Sequence, residues 1–285
     1  MNKDRRSFLK QAGTTALGVG CGFSILGTGC SSQHGSHGGE ISEHQLAMII
    51  DVELCNEDVR RACWEACHNT HNVPFIPDPE KTDPEQGNPH DIDPREGIRW
   101  IWEENHENVF PDQVHAAARA ALQENPLPTL VLCNHCTSPS CTRVCPTKAT
   151  WKRESDGIVM MDMHRCIGCR YCMVACPYGA RSFNWRDPRQ RDPETGELLY
   201  FADNELPSAT FPARSKGVVE KCNFCADQLR FGKQPSCVVA AEEVVPGALT
   251  FGRHGDQKIK DKLKTNRTIC RRISLGTGPN VFYIV

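Results

Sequence analysis

Cys166-Ile-Gly-Cys169-Arg-Tyr-Cys172-Met-Val-Ala-Cys176-Pro177 is the stretch that decides how this chain is read. Its spacing, C-x2-C-x2-C-x3-C-P, is a bacterial ferredoxin run. In such a run the fourth cysteine serves the other cluster of a pair. Three thiolates on a tight loop cap three irons of one cubane, and the fourth lies on the helix that follows. The proline ends that helix and turns the chain away. Upstream, Cys133-x2-Cys136-x4-Cys141-x3-Cys145-Pro146 repeats the arrangement. CxxC pairs also make zinc sites, but zinc ribbons do not require paired runs of four closed by Cys-Pro. Cys63-Trp-Glu-Ala-Cys67-His68 is CxxxCH, one residue too long for c-type haem attachment.

Two damaged groups flank the complete ones. Downstream lies Cys222-x2-Cys225-x11-Cys237, with Ala241 where a fourth cysteine would fall. Upstream lies Cys55-x7-Cys63-x3-Cys67. Its missing second cysteine falls on Asp58 when counted from Cys55 and on Arg60 when counted back from Cys63. The chain holds 17 cysteines in 285 residues, an odd count that argues against a closed disulfide framework. A hydrophobic fraction of 39% and a net charge of −2 exclude a polytopic membrane protein and a strongly basic nucleic-acid binder. No phosphate-cradling glycine motif, nucleophile elbow or HExxH helix is present, so no catalytic residue is expected.

The N-terminus, Arg5-Arg6-Ser7-Phe8-Leu9-Lys10 followed by a glycine-rich run, resembles a twin-arginine export signal, departing from it only at Asp4. That route carries folded proteins, as one loaded with a cofactor in the cytoplasm requires. The expected location is periplasmic, on the extracytoplasmic face of the membrane. Whether the segment is cleaved, retained as an anchor or lipidated at Cys30 stays open. Ser31 to Glu43 reads as a flexible linker. Leu46–Asp51, Thr129–Cys133 and Asn280–Val285 read as strands, and Ala149–Asp162, with Asp156-Gly157 at its middle, reads as a hairpin. Residues 73–99 read as loop, residues 98–124 as containing at least one helix, and residues 186–217 as a polar insertion. His135 and His164 read as surface groups or hydrogen-bond donors to sulfur, and Cys270 as an idle thiol.

Four cysteine groups in this order resemble the four-cluster ferredoxin-type iron–sulfur subunit of dimethyl-sulfoxide-reductase-type respiratory complexes, over most of residues 46–252. The resemblance implies an α+β fold of two bacterial-ferredoxin-like 4Fe-4S modules (pseudo-twofold βαββαβ type) with long loop insertions. It implies three ligand sets: Cys133, Cys136, Cys141 with Cys176; Cys166, Cys169, Cys172 with Cys145; and Cys222, Cys225, Cys237 with Cys67. The fourth set would need Cys55, position 58 or 60, Cys63 and position 241. Both missing ligands fall on that one cluster, so the expectation is three 4Fe-4S clusters and a vestigial site of Cys55, Asp58, Cys63 and Ala241. The competing reading is oxygen ligation there by Asp58 with Glu242 or Glu243. Cys55 and Cys63 could instead form a disulfide in an oxidising compartment.

The expected organisation is residues 1–30 as signal, 31–45 as linker, 46–75 plus 217–252 as an outer module, 76–128 as an insertion, 129–185 as an inner module, 186–216 as a second insertion and 253–285 as a tail. Arg181–Pro188, Lys216–Cys225 and Leu275–Val285 resemble most the DsrO type, the exported ferredoxin subunit of the DsrMKJOP complex linked to dissimilatory sulfite reduction. That resemblance implies a one-electron relay with two partners, a DsrP-like membrane quinone-interacting subunit and a DsrJ-like multihaem cytochrome c. The alternatives are an electron-transfer subunit of a molybdopterin oxidoreductase (polysulfide, tetrathionate or nitrite type) and a metal-stabilised scaffold without redox function.

Overall fold

The four strands that organise one end of the molecule come from opposite ends of the chain. The computed structural model describes residues 42–285 apart from 79, 81–91, 115–121, 123, 125, 202–205 and 213. All of them belong to a single unit, Ser36–Val285. The export segment, Cys21, Cys30 and most of the linker lie outside the described residues, as does most of the helical pattern around residues 115–122.

In chain order the elements are β1 (Leu46–Asp51), α1 (Glu57–His71), β2 (Ile101–Asn105), α2 (His106–Val109), β3 (Pro128–Leu132), α3 (Ser140–Arg143), β4 (Thr150–Lys152), β5 (Val159–Met161), α4 (Tyr171–Val174) and β6 (Ser182–Phe183). Then come β7 (Val219–Glu220), α5 (Ala226–Leu229), α6 (Ser236–Val244), β8 (Leu249–Arg253), α7 (Gln257–Thr265), β9 (Thr268–Ile269) and β10 (Val281–Ile284). The mixture of helices and strands fits the expected α+β class. From β3 to β6 the order is β-α-β-β-α-β, with a complete cysteine group at each of its two helices.

β1 is central in a sheet of order β8-β1-β10-β9, antiparallel to β8 and parallel to β10 with Met48 opposite Val281. A strand covered on both faces needs a continuous apolar run rather than alternation. Ala47-Met-Ile-Ile50 is that run, and all four residues are buried. Two-stranded ladders pair β2 with β3, β4 with β5 and β6 with β7. The expected strands and hairpin are therefore present, with Asp156-Gly157 in the turn between β4 and β5.

Residues 98–124 were expected to contain at least one helix, which α2 supplies, and residues 101–105 before it form β2. The bulky Ile101 and Trp102 pair with Leu132 and Val131 and are buried there, so cross-strand packing overrides the helical composition of the residues downstream. The insertion at 186–216 is less polar in its folding role than in its composition. It buries Leu198, Phe201 and Arg214.

α1 begins at Asn56, whose side chain accepts from the Val59 N–H at 3.0 Å, and ends at Asn72, which is left-handed at φ 48°. Its buried residues include Val59, Cys63, Cys67 and His71, a stripe of one residue per turn. That stripe faces α6, which buries Cys237, Val238 and Ala241. The same i, i+4 spacing thus sets Cys63 and Cys67 on one helix against Cys237 and Ala241 on the other. Among the described residues no helix is long and apolar enough to cross a membrane.

Candidate metal centres

The first CxxC loop of the second, third and fourth groups turns at the residue before its second cysteine. His135 (φ 42°), Gly168 (φ 71°) and Phe224 (φ 53°) occupy that place in the second, third and fourth groups, and all three are left-handed. The turn points backbone N–H groups at the first sulfur: Gly168 N–H donates to Cys166 Sγ and Phe224 N–H to Cys222 Sγ, both at 3.4 Å. At Gly168 only glycine fits, because a Cβ would stand 2.4 Å from the Gly217 carbonyl oxygen. The Cys-Pro ends also match. Lys148 and Gly179 are both left-handed and donate to the carbonyls of Cys145 and Cys176, three residues earlier. α3 and α4, which carry the third cysteines Cys141 and Cys172, pack on each other.

The thiols fall into neighbourhoods. Burial and the nearby Cys133, Cys141 and Cys176 push the Cys136 thiol up to about 12. Burial also raises Cys67 well above the ordinary thiol value, with Cys222 and Cys225 next in effect. Cys237 responds in the same way, to burial and then to Cys63, Cys225, Cys67 and Cys222. Cys136 thus lies among thiols of the first set named above, and Cys67 and Cys237 among those of the third together with Cys63. Of the second set, burial and the nearby Cys166 help raise Cys172, Cys169 lies exposed at the rim, and Cys145 Sγ is 3.6 Å from Thr147 Oγ1. At Cys145 burial is outweighed by hydrogen bonds from the Thr147 side chain and the backbone, so its pKa is lowered.

Two electrostatic influences join the neighbourhoods: after burial, Cys141 helps raise Cys172, and Cys133 helps raise Cys222. The loops of the second pair are braced by the His135 ring stacked on Phe224, with centroids 3.7 Å apart, which brings two left-handed loop residues face to face. His135 is thus neither a surface group nor a sulfur donor as expected. It is fully buried, and its Nδ1 accepts from the Val159 N–H at 3.1 Å. His164 is exposed, as one of its two expected roles required.

Two buried cations were missed from sequence. Arg181 is 4% exposed and donates from Nη2 to Cys141 Sγ at 3.0 Å and to Thr150 Oγ1 at 2.8 Å. Burial opposes its charge, but Cys141, Cys172 and Cys133 outweigh that and hold its pKa above the usual value. Lys221 is 2% exposed, and its Nζ donates to the carbonyls of Cys222, at 2.6 Å, and Val159. The available signal was a lone basic residue close to each cysteine group in a run otherwise apolar or paired. His71 is a third such residue. Its Nε2 lies 3.1 Å from Cys225 Sγ, and burial lowers its pKa to about 4.

All fifteen described cysteines are free thiols, Cys55 and Cys63 included. Among the described residues no three His, Cys, Asp or Glu side chains converge closely enough to hold a single metal ion. The donor set fits iron–sulfur clusters. Buried thiols that repel one another are relieved when iron takes them as thiolates, and buried cations and N–H groups aimed at sulfur stabilise the resulting negative charge.

The fourth position is built differently. Cys55 and Cys63 are buried neighbours, and the Cys63 thiol donates to the Cys237 carbonyl at 3.2 Å. Asp58, Glu242 and Glu243 are exposed. Arg60 is buried instead, its Nη1 donating to the Cys55 carbonyl and its Nε 2.9 Å from Glu103 Oε1. Ala241 is fully buried.

Residues 128–196 match the model of a 4Fe-4S dicluster domain. A ferredoxin-type 4Fe-4S domain is therefore present. The chain is 35% identical to the Hdr-like menaquinol oxidoreductase iron–sulfur subunit 1 of Archaeoglobus fulgidus, over 98% of this chain and 97% of that one. It is 33% identical to the iron–sulfur cluster-binding subunit of the menaquinone reductase of Nitratidesulfovibrio vulgaris (83% and 87% covered). It is 34% identical to the arsenate respiratory reductase iron–sulfur subunit of a Shewanella species (84% and 96%). The chain belongs to this family of iron–sulfur subunits of oxidoreductases.

Proposed function

We propose that this chain is an electron-transfer subunit that passes single electrons through three 4Fe-4S clusters in a row. The observation that carries the reading is how the cysteine loops pack: the helices of Cys141 and Cys172 lie on each other, and the His135 ring of the Cys133 loop stacks on Phe224 of the Cys222 loop at 3.7 Å. These two junctions order the sets as Cys166/Cys169/Cys172/Cys145, then Cys133/Cys136/Cys141/Cys176, then Cys222/Cys225/Cys237/Cys67. Bound there, clusters supply one-electron hops. The protein holds the thiolates, excludes water and donates hydrogen bonds to sulfur, which tunes each potential. The fourth cluster is lost. Arg60 occupies one of the two positions counted for its second ligand and is paired with Glu103, and buried Ala241 replaces its fourth.

On this reading residues 129–185 are the inner module and residues 46–75 with 217–252 the outer one. The inner module follows the βαββαβ order, whereas the outer one runs β1-α1 and then β7-α5-α6-β8; insertions fall at 76–128 and 186–216, and the chain is exported by the twin-arginine route to the outer face of the membrane. The inner end carries exposed Cys169 among exposed Ile167, Tyr171 and Val174, of which Val174 is 88% exposed. This supports docking of a DsrP-like membrane quinone-interacting subunit there. A DsrJ-like multihaem cytochrome c meets the outer end, in a Dsr-type sulfur-metabolism complex. A second reading, service to a molybdopterin oxidoreductase, has the arsenate-reductase relative in its favour. The catalytic subunit in such complexes meets the cluster that is absent here.

Cys225→Ala in the purified complex tests the assignment. The account predicts loss of electron transfer to the outer partner with two clusters retained, and unimpaired transfer would sink it. Co-purification with a molybdenum subunit instead of a cytochrome would reverse the choice of complex.

A further inference from the structure

A buried cation is costly unless an anion answers it. Arg214 is answered by Glu220, its Nε 2.6 Å from Oε2 with both side chains fully buried. Arg181 and Lys221 are as deeply buried, yet among the described residues neither pairs with a carboxylate. Each stands where two thiol sets meet. Arg181 donates to Cys141 and also acts on Cys133 and on Cys172 of the neighbouring set. Its other terminal nitrogen reaches Met161 Sδ at 3.8 Å, which holds the guanidinium plane in place. Lys221 is fixed by the carbonyls of Cys222 and of Val159, whose own N–H donates to His135 of the Cys133 loop, and it acts on the Cys222 thiol.

We propose that Arg181 and Lys221 set the reduction potentials of the relay, one at each junction between neighbouring clusters. The proposal rests on the ligand assignment above. A one-electron reduction adds a negative charge, and a fixed cation in a water-poor interior stabilises the reduced form more than the oxidised form. The effect is local. Arg181 raises the potentials at the sets of Cys141 and Cys172, and Lys221 those at the sets of Cys222 and Cys133. The middle set, touched by both, is held highest relative to a protein without them. Both residues position charge and neither is a ligand.

The test is a redox titration of the holoprotein followed by electron paramagnetic resonance, after iron and acid-labile sulfide have been measured on every sample. Arg181→Met is expected to shift two clusters toward the oxidised form at least tenfold at a given poise, about 59 mV for one electron, and to leave the Cys222 cluster unmoved. Lys221→Met is expected to spare the Cys172 cluster and shift the other two. Arg181→Lys keeps the charge and is expected to restore most of the potential. If Arg181→Met loses iron, Arg181→Gln, which keeps a donor for Cys141 without the charge, carries the same comparison. Full iron with unchanged potentials, or equal shifts at all three clusters, would overturn the proposal while leaving the ligand assignment intact. Wild-type protein without clusters on these cysteines would overturn both.

Discussion

Glu220→Gln removes one charge from the most deeply buried ion pair described in the molecule. Glu220 Oε2 accepts from Trp100 Nε1 and pairs with Arg214 Nε, both at 2.6 Å, and Oε1 accepts from Asn184 Nδ2 at 2.6 Å. Arg214 also donates to the carbonyls of His71 and Asn72 and lies over the Trp100 ring, 4.8 Å from its centroid. Those carbonyls close the C-terminal end of α1, one turn beyond Cys67, whose thiol Arg214 faces. The substitution leaves a buried guanidinium without its counter-charge, at a cost of about 3–5 kcal/mol. The new amide N–H group meets only donors on that side, adding roughly 1–3 kcal/mol for an unsatisfied group. Against a total stability of about 5–15 kcal/mol, this is a large fraction.

The assay is the melting midpoint of the holoprotein together with its iron content. Glu220→Gln is expected to lower the midpoint by roughly 10–30 °C and to lose the Cys67 cluster first. Adding Arg214→Met removes the stranded charge and is expected to recover most of the loss, and the double-mutant cycle isolates the pair. A single variant within about 1 kcal/mol of wild type, or a double variant no better than the single, would refute the reasoning.

Two further outcomes follow from burial. Burial raises the Cys55 thiol to about 12, and burial together with Cys55 raises Cys63, so iodoacetamide at pH 8 is expected to label neither in the native protein and both after unfolding. Rapid native labelling, or a mass showing the pair oxidised, would contradict the packing of the vestigial site. His254, whose Nε2 lies 2.9 Å from Asn280 Oδ1, has a pKa lowered by burial, against which the Asn280 bond works. The unfolded chain therefore takes up a proton that the folded one refuses. Its contribution to stability is present above the ordinary histidine value of about 6.5 and is lost as pH falls below it. His254→Gln is expected to flatten the decline in melting midpoint between pH 7.5 and 5.5, and an unchanged slope would count against it.

The ligand groups were legible in the sequence because their geometry is local. CxxC sets one loop turn, and an x3 spacing puts two residues on one face of a helix, as with Cys63 and Cys67 on α1. β1, β3, β10 and the β4–β5 hairpin were legible for the same reason, from short apolar runs and one turn. What joins the groups was not legible. The stacking of His135 on Phe224 unites residues far apart in the chain, and so does the hold of Lys221 on the Val159 carbonyl. Arg214 was hidden in a segment whose composition is polar, although Glu220 and two aromatic rings draw it into the interior. β2 was not singled out because only Ile101 and Trp102 favour a strand, and pairing with β3 extends it through Glu103, Glu104 and Asn105.

Iron and acid-labile sulfide per chain, measured on protein purified without air, test the central claim most directly. The account predicts about twelve of each, three 4Fe-4S clusters on twelve thiolates. About sixteen of each would mean that Cys55, Cys63 and other donors still hold a fourth cluster, contradicting the three-cluster relay.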